Sequence, residues 1–383
     1  MERPSSRQRV LTTLEHREPG RIPFDLGTTK VTGITRHAYL RLMTTMGIDP
    51  TPFQFFDVTQ QLAVMNEAIL TRLEVDTRGL MPNVVRKHPS IEQHQGYRTF
   101  RDEWGVTWKM PQDGLYFDVV ESPLAGDITI KDIDQHPWPD PTDPCLLDGL
   151  RDQAKTWHEQ GYAVILESVC AGIFEMSCRL RGYEQFYMDL ALNPDLASRL
   201  LDKFVDIKLQ FYEAAAEQLG GLVQFIREGD DVAGEESLLM SPKSYRRYIK
   251  PRHAELFRAQ RALFADPFYV FFHSDGALYD LLPDFIEMGV DILNPVQVSA
   301  KGMDTRKLKQ EFGRDLVFWG GAIDPQALAR SRPDEVGQRV RARVQDLAPG
   351  GGFVFGTIHN IQDDVPPENI MAMWEAFRQV RGY

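Results

Sequence analysis

Short apolar runs that end in a polar or glycine-flanked cluster, each followed by helical periodicity, recur along this chain, and that rhythm constrains its fold most. It is plainest in the last third, in FYVFFHSDG, DILNPVQVSAKGMD and GGFVFGTIHNIQDDVPPENI. An apolar run of about five or six residues is short for a helix and reads as a buried strand, and a polar cluster at its C-terminal end reads as the loop into the next helix. Strand candidates fall at 22–26, 75–80, 163–166, 222–226, 268–272, 291–293, 316–319 and 353–355, eight in all. Eight strands close a parallel barrel, whereas a doubly wound sheet calls for a Gly-rich fingerprint after its first strand, which GTTKVTG does not supply. The expectation is therefore the α/β class, a single (β/α)8 TIM-like barrel forming one domain over residues 1–383.

One stretch breaks the rhythm. From about 88 to 124 the pattern becomes an aromatic-rich alternation through Tyr97, Phe100, Trp104, Trp108 and Phe117, divided by turn signals at Gln95-Gly96 and Asp113-Gly114. This predicts a small antiparallel β insertion, placed over the barrel mouth or along one side. The proline-dense HPWPDPTDP that follows, residues 136–144, excludes helix and central strand and reads as a stiff linker.

Charge and cysteine content narrow the function classes. With 43 Lys and Arg against 55 Asp and Glu, the formal net charge is -12, which disfavours nucleic acid and anionic membranes as partners. Three cysteines without a CxxC pair suit a reducing compartment, so a cytoplasmic location is expected. The N-terminal MERPSSRQRVLTTLEHREP lacks an apolar targeting core, and no apolar stretch of about 18 residues suggests a membrane span.

In a barrel of this kind, chemistry sits where polar residues follow the strands. His273 and Asp275 lie two positions apart at one strand end and so share a face, a spacing that suits metal ligation; Asp275 capping the next helix is the plainer reading. Glu228, Asp230 and Asp231 crowd carboxylates after another strand, which calls for a cation or a shared proton unless the loop is simply solvated. His359 and Asn360 follow the last strand in a loop stiffened by Pro366-Pro367, where an imidazole suits proton transfer or metal binding. The expected catalytic groups are His359, Asp230 and Glu228; Asp76, Arg78, Glu167, Asn294, Gln297 and Asn360 are expected to bind substrate.

The opening SSRQRVLTTLEHREPGRIPFD, the middle FIREGDDVAGEESLLMSPKSYRRYIKP, and the closing FFHSDGALYDLLPDFIEMGVDILNPVQVSAKGMD, FWGGAID and HNIQDDVPPENIMAMWEAF resemble the uroporphyrinogen decarboxylase superfamily. More closely they resemble its branch of corrinoid-linked methyltransferases. The resemblance implies a barrel with its site at the mouth. Decarboxylases of the family carry an arginine-rich RQAGR-type loop that grips tetrapyrrole carboxylates; here the loop is GTTKVTGITRHAY, with only Lys30 and Arg36 as cations. Thiol-methylating members carry a zinc site of His-x-Cys plus a distant Cys, to which His273-x-Asp275 and His359 are similar in position. The ligand set implied is His273, Asp275 and His359 with Glu228, all nitrogen and oxygen, which suits zinc and makes thiolate substrates doubtful.

The expected activity is transfer of a methyl group from a small methylated compound, such as a methoxylated aromatic, to the cobalt of a corrinoid carried by a partner protein. No segment resembles a cobalamin-binding module. The alternative is a carboxy-lyase acting on a small or tetrapyrrole-like carboxylate, with His359 as general acid and Asp76 or Asp230 stabilising a cationic intermediate. A barrel kept only for binding or assembly is the third reading, and superfamily barrels often pair as homodimers.

Overall fold

The structure, a computed structural model, describes residues 4–83 and 90–383. Seven parallel strands form one curled sheet in the order β13-β12-β11-β10-β9-β8-β3. Their ranges are β3 (Thr77–Leu80), β8 (Ala163–Glu167), β9 (Phe225–Gly229), β10 (Tyr269–His273), β11 (Ile292–Asn294), β12 (Val317–Trp319) and β13 (Phe353–Val354). Segment 22–26 closes the ring between the two sheet edges. On one side Asp25 N donates to Phe355 O at 2.9 Å and Phe355 N to Pro23 O at 2.9 Å; on the other, Asp76 N donates to Phe24 O at 2.8 Å. The chain is a (β/α)8 barrel, and the eighth staves come from a segment too short for a regular ladder of its own.

Because side chains alternate along each strand, one set fills the barrel and the other meets the helices. The inner set is Ala163, Ile165, Phe225, Phe271, Ile292, Val317, Trp319 and Val354. Val10 and Leu14 join it from the helix Ser6–Leu14, which stoppers the N-terminal end. That helix is fixed by a capping box in which Ser5 and Gln8 satisfy each other's backbone amides. The outer set packs beneath the helix layer; Phe355, for example, stacks on Phe377 of the helix Pro367–Val380 at 3.9 Å between ring centres.

Two smaller sheets decorate the mouth. A short hairpin pairs β1 (Phe55–Asp57) with β2 (Leu62–Ala63). The aromatic insertion is a four-stranded antiparallel meander of β4 (Glu92–His94), β5 (Tyr97–Arg101), β6 (Thr107–Pro111) and β7 (Asp118–Glu121). Its expected start near residue 88 falls outside the described residues. One face buries Phe100, Trp108 and Met110, and the edge-on pair Phe100 and Phe117, 4.9 Å apart, locks it together. The proline run is not a free linker: Trp138 packs edge-on against Phe204, 5.4 Å away, and so presses the insertion onto the helix Pro194–Leu219.

Asp76 carries an expectation that the structure corrects. It precedes β3, at the N-terminal end of the barrel, with a fully buried side chain. Its carboxylate accepts from Arg9 and Arg21 at 3.0 Å each and from Phe24 N at 2.9 Å. It therefore ties the stopper helix, the closing segment and β3 into one knot, far from the mouth. Arg78, on the outward face of β3, pairs with Glu67 and lies over Tyr162 at 3.7 Å, so it too is structural. Asp76→Ala strands the buried Arg9 guanidinium and the half-buried one of Arg21 and should cost about 3–5 kcal/mol. Urea denaturation would measure it, and a loss like that of a surface pair, under about 1 kcal/mol, would contradict the reading.

Candidate functional site

At the C-terminal ends of the strands lies a cavity of about 460 Å³. Its floor carries Arg227, Asp231, His273 and His359, and one wall is aromatic, built by Phe100, Trp104, Trp108, Tyr116 and Phe117 of the insertion. Asp102 holds that wall: it accepts from the Trp108 indole at 2.7 Å and from the amides of Trp104 and Val106 at 2.9 Å each.

His273 is the last residue of β10 and points inward. Its Nδ1 meets Asn294 Oδ1 at 2.7 Å, while Asn294 Nδ2 donates to Trp319 O at 2.9 Å. With its amide nitrogen committed to a carbonyl, Asn294 must present oxygen to the ring. Nδ1 of His273 therefore carries the proton, and Nε2 keeps a lone pair aimed at the cavity. That Nε2 is 3.8 Å from Asp275 Oδ2, and His359 Nε2 is also 3.8 Å from the same oxygen. The rings of His273 and His359 are 5.7 Å apart, centre to centre.

These separations exceed a hydrogen bond yet suit a shared occupant. Among the described residues, His273, Asp275 and His359 are the group that can hold a metal ion, their ligand atoms lying within 4.8 Å of one another. A tetrahedral ion with bonds of about 2.0–2.2 Å sets its ligands about 3.4 Å apart, so a small inward closure suffices. Protonation points the same way. Burial pushes the His273 imidazole down to about 3, helped by the Arg227 guanidinium and opposed by its bond to Asn294. Burial does the same to His359, again to about 3, with His273 and Arg227 adding to it. Both rings are neutral, as ligands must be. Asp275 is raised well above the usual carboxylate range by burial and by the nearby Asp231, Glu175 and Glu235, and its Oδ1 is buried without a partner. A cation held between the two rings and Asp275 Oδ2 would relieve that repulsion, so these residues fit zinc.

Other expected site residues do different work. Glu228 lies inside β9 on the outward face, where Lys208 reaches both its oxygens at 3.0 Å and Ser168 and Tyr212 also bond it. It cannot join His273, because alternation turns it to the helix layer. Asp230, also outward, caps the helix Ile173–Arg181, accepting from Phe174 N and Glu175 N at 2.9 Å each, and meets His253 Nε2 at 3.0 Å. The fit is close enough that a Cβ on Gly172 would sit 2.1 Å from the Asp230 carboxyl. Gln297 spends its amide on Gly276 N and Glu235, shaping the loop after β10. Asn360 stitches three loops, accepting from Gly33 N and donating to Lys30 O and Gln60. Asn294 orients His273, and Glu167 faces inward, pairing with Arg227 and accepting from Lys30 N at 3.0 Å.

Sequence reading passed over Arg227, Glu175, Arg179 and Asp57, the partner of the loop cation Lys30, and all five residues line the cavity. Arg227 carried no separate signal, because only the parallel register of Gly229 with His273, two residues farther on, brings it to the floor. His253 is buried between Asp230 and Tyr245.

The family model described as Uroporphyrinogen decarboxylase (URO-D) matches residues 104–380. A uroporphyrinogen decarboxylase of Syntrophotalea carbinolica is 26% identical over 178 residues, 46% of either chain. One from Serratia proteamaculans is 40% identical over 68 residues, 18% of this chain and 19% of that one. The chain thus spans about half, or less, of the length of these curated relatives. A solved methyltransferase from Methanosarcina mazei superposes along almost the whole length, 98% of this chain and 99% of that one, with a TM-score of 0.65 at 18% identity. At that identity the likeness is one of fold.

The neutral histidines imply a pH dependence. Between the ordinary histidine value of 6.5 and about 3, the unfolded chain binds protons that folded His359 refuses, so this residue's contribution to stability is complete above that window and lost as pH falls through it. Asp275, with its folded value raised, acts with the opposite sign above 3.8. His359→Asn should therefore lose less stability than the wild type on acidification through the histidine window, as read from urea midpoints at stepped pH. Identical slopes for the two proteins would refute a neutral ring.

Proposed function

The chain belongs to the uroporphyrinogen decarboxylase family, and on that premise we propose that it transfers a methyl group from a small methylated compound, a methoxylated aromatic being the best fit, to the cobalt of a corrinoid presented by a partner protein. The observation that carries this reading is the meeting of two neutral imidazoles on the floor of an aromatic-walled cavity, with the Asp275 carboxyl beside both.

Cobalt(I), as co-substrate, supplies the electron pair for the new cobalt–carbon bond and is formally oxidised to cobalt(III). The carbon–oxygen bond breaks and its pair leaves with oxygen, so no outside oxidant is needed. Attack on the methyl carbon is easy; the obstacle is the basic oxygen that leaves. Zinc, when held by His273 Nε2, Asp275 and His359 Nε2, supplies Lewis-acid polarisation of that oxygen. Asn294 fixes the His273 tautomer, which keeps the Nε2 lone pair available. Phe100, Trp104, Trp108 and Phe117 offer flat apolar surface for an aryl ring and shield the reaction from water.

Charge pairing argues against a polycarboxylate substrate. Among the described residues, each lysine or arginine lining the cavity is already matched: Lys30 with Asp57 at 3.5 Å, Arg179 with Glu175, and Arg227 with Glu167. Asp102, Glu103 and Asp231 leave the walls with an excess of acid. A carboxy-lyase acting on a tetrapyrrole-like polyanion would need a cation for each of several carboxylates, more than the donors left over on one guanidinium supply.

Purified protein mixed with methoxylated phenols and chemically reduced free cobalamin should form methylcobalamin, followed by its absorbance change. His273→Ala should lower the rate about 100-fold or more and remove bound zinc, measured by elemental analysis. Undiminished methylcobalamin formation by that variant, or zinc far below stoichiometric in the wild type, would reject the metal half of the mechanism.

A further inference from the structure

Arg227 sits on the inward face of β9, and its environment is unusual for a purely structural arginine. Two residues farther along the same face is Gly229, where a Cβ would lie 2.6 Å from Arg227 Nη1 and 3.0 Å from His273 Cβ. The absent side chain lets the guanidinium climb past that position and come up beside His273, onto the floor of the cavity that Gly229, His273 and His359 also line.

Its partners do not exhaust it. Glu167 takes Nη2, and the other oxygen of Glu167 is engaged by Lys30 N. A guanidinium has five N–H donors in a fixed plane, and here Nε is buried with no partner. A buried arginine with unsatisfied donors is costly when it serves packing alone, because one carboxylate neither matches its hydrogen-bonding capacity nor repays the loss of water. The cost is offset when an anion forms in the cavity during the reaction. Its place fits that use, since Arg227 lines the same floor as His273 and His359, where the leaving oxygen of the proposed reaction is polarised.

Resting on the methyl-transfer reading, we infer that Arg227 is a catalytic residue whose guanidinium accepts the negative charge that develops on the leaving oxygen, selecting donors whose demethylated product is a phenolate. As the carbon–oxygen bond lengthens, an N–H of Arg227 shortens its contact to that oxygen, and the phenolate departs ionised or takes its proton from water at the open mouth. Gly229 is the residue that admits the guanidinium to this position. The interaction is weak toward a neutral ether and strong toward a phenolate, which is the difference that accelerates a reaction.

The probe is 4-nitrophenol, whose ionised form is coloured. Titrated with the protein as purified, it should bind the wild type as the phenolate and ionise at lower pH than it does free. In R227Q the ionisation of the bound probe should move up by about 1–3 pH units, the range expected on losing a close opposite charge. R227K keeps a cation for Glu167 and should fall between, and thermal melts by circular dichroism identify any variant that does not fold. In turnover with free reduced cobalamin, the rates of a series of ring-substituted anisoles should depend more steeply on the acidity of the leaving phenol in R227Q than in the wild type. Methylcobalamin formed with equal slopes, together with an unmoved ionisation of bound probe, overturns the role of Arg227 and leaves methyl transfer standing. No methylcobalamin from the wild type with any anisole overturns the methyl-transfer reading itself, whatever the probe does.

Discussion

Alternation along the barrel strands decides which side chains meet at the mouth. Each residue of a strand faces either the barrel interior or the helix layer, and its neighbours face the other way. In β9 this sends Phe225, Arg227 and Gly229 inward and Ile226 and Glu228 outward, with Asp230 following the outward course. In β10 it sends Phe271 and His273 inward. Parallel pairing of Gly229 with His273 then brings Arg227, Gly229 and His273 into one patch. The closed ring makes this phase rigid, since a slip in one strand would have to be matched around the whole circumference.

Buried charge is handled in three ways, and each has a distinct place in the fold. At the N-terminal end, Asp76 is satisfied by two arginines and a backbone amide, which converts a buried carboxylate into a fastening. In the helix layer, Lys208 and Glu228 form a closed network with Ser168 and Tyr212. At the mouth the bookkeeping is left open: Asp275 Oδ1 and Arg227 Nε lack partners, and two imidazoles are held neutral. The Arg227 guanidinium on the cavity floor and the Asp275 carboxyl beside His273 are thus left short of partners, which suits a site for a cation and a developing anion.

The insertion turns a general barrel mouth into a particular cavity. Its sheet contributes Phe100, Trp104, Trp108 and Phe117, and it is held from behind by Trp138 against the helix Pro194–Leu219. Family membership comes with the barrel, and this chain's residues place an aromatic wall and paired cations at its mouth. No helix among the described residues is long and apolar enough to cross a membrane.

The barrel was legible in the sequence because buried strands announce themselves by apolar runs, and eight of them alternated with helical patterns. His273, Asp275 and His359 could be nominated for the same reason: each follows such a run at a strand end. The insertion was visible in its period-two aromatics. What only the tertiary structure decided was the facing of the acids and the reach of Arg227. The last layer of β9 inside the barrel is polar, so the strand extends through Gly229 where the sequence ceases to look like one, and Glu228 and Asp230, expected in a loop, turn outward. Asp76 and Arg78 were likewise drawn toward the mouth by their charge, although they belong to the opposite end and the outer face of β3. Hydrophobic periodicity records which residues avoid water; it does not record which polar residues face one another across a closed ring, because that depends on register between strands distant in the chain.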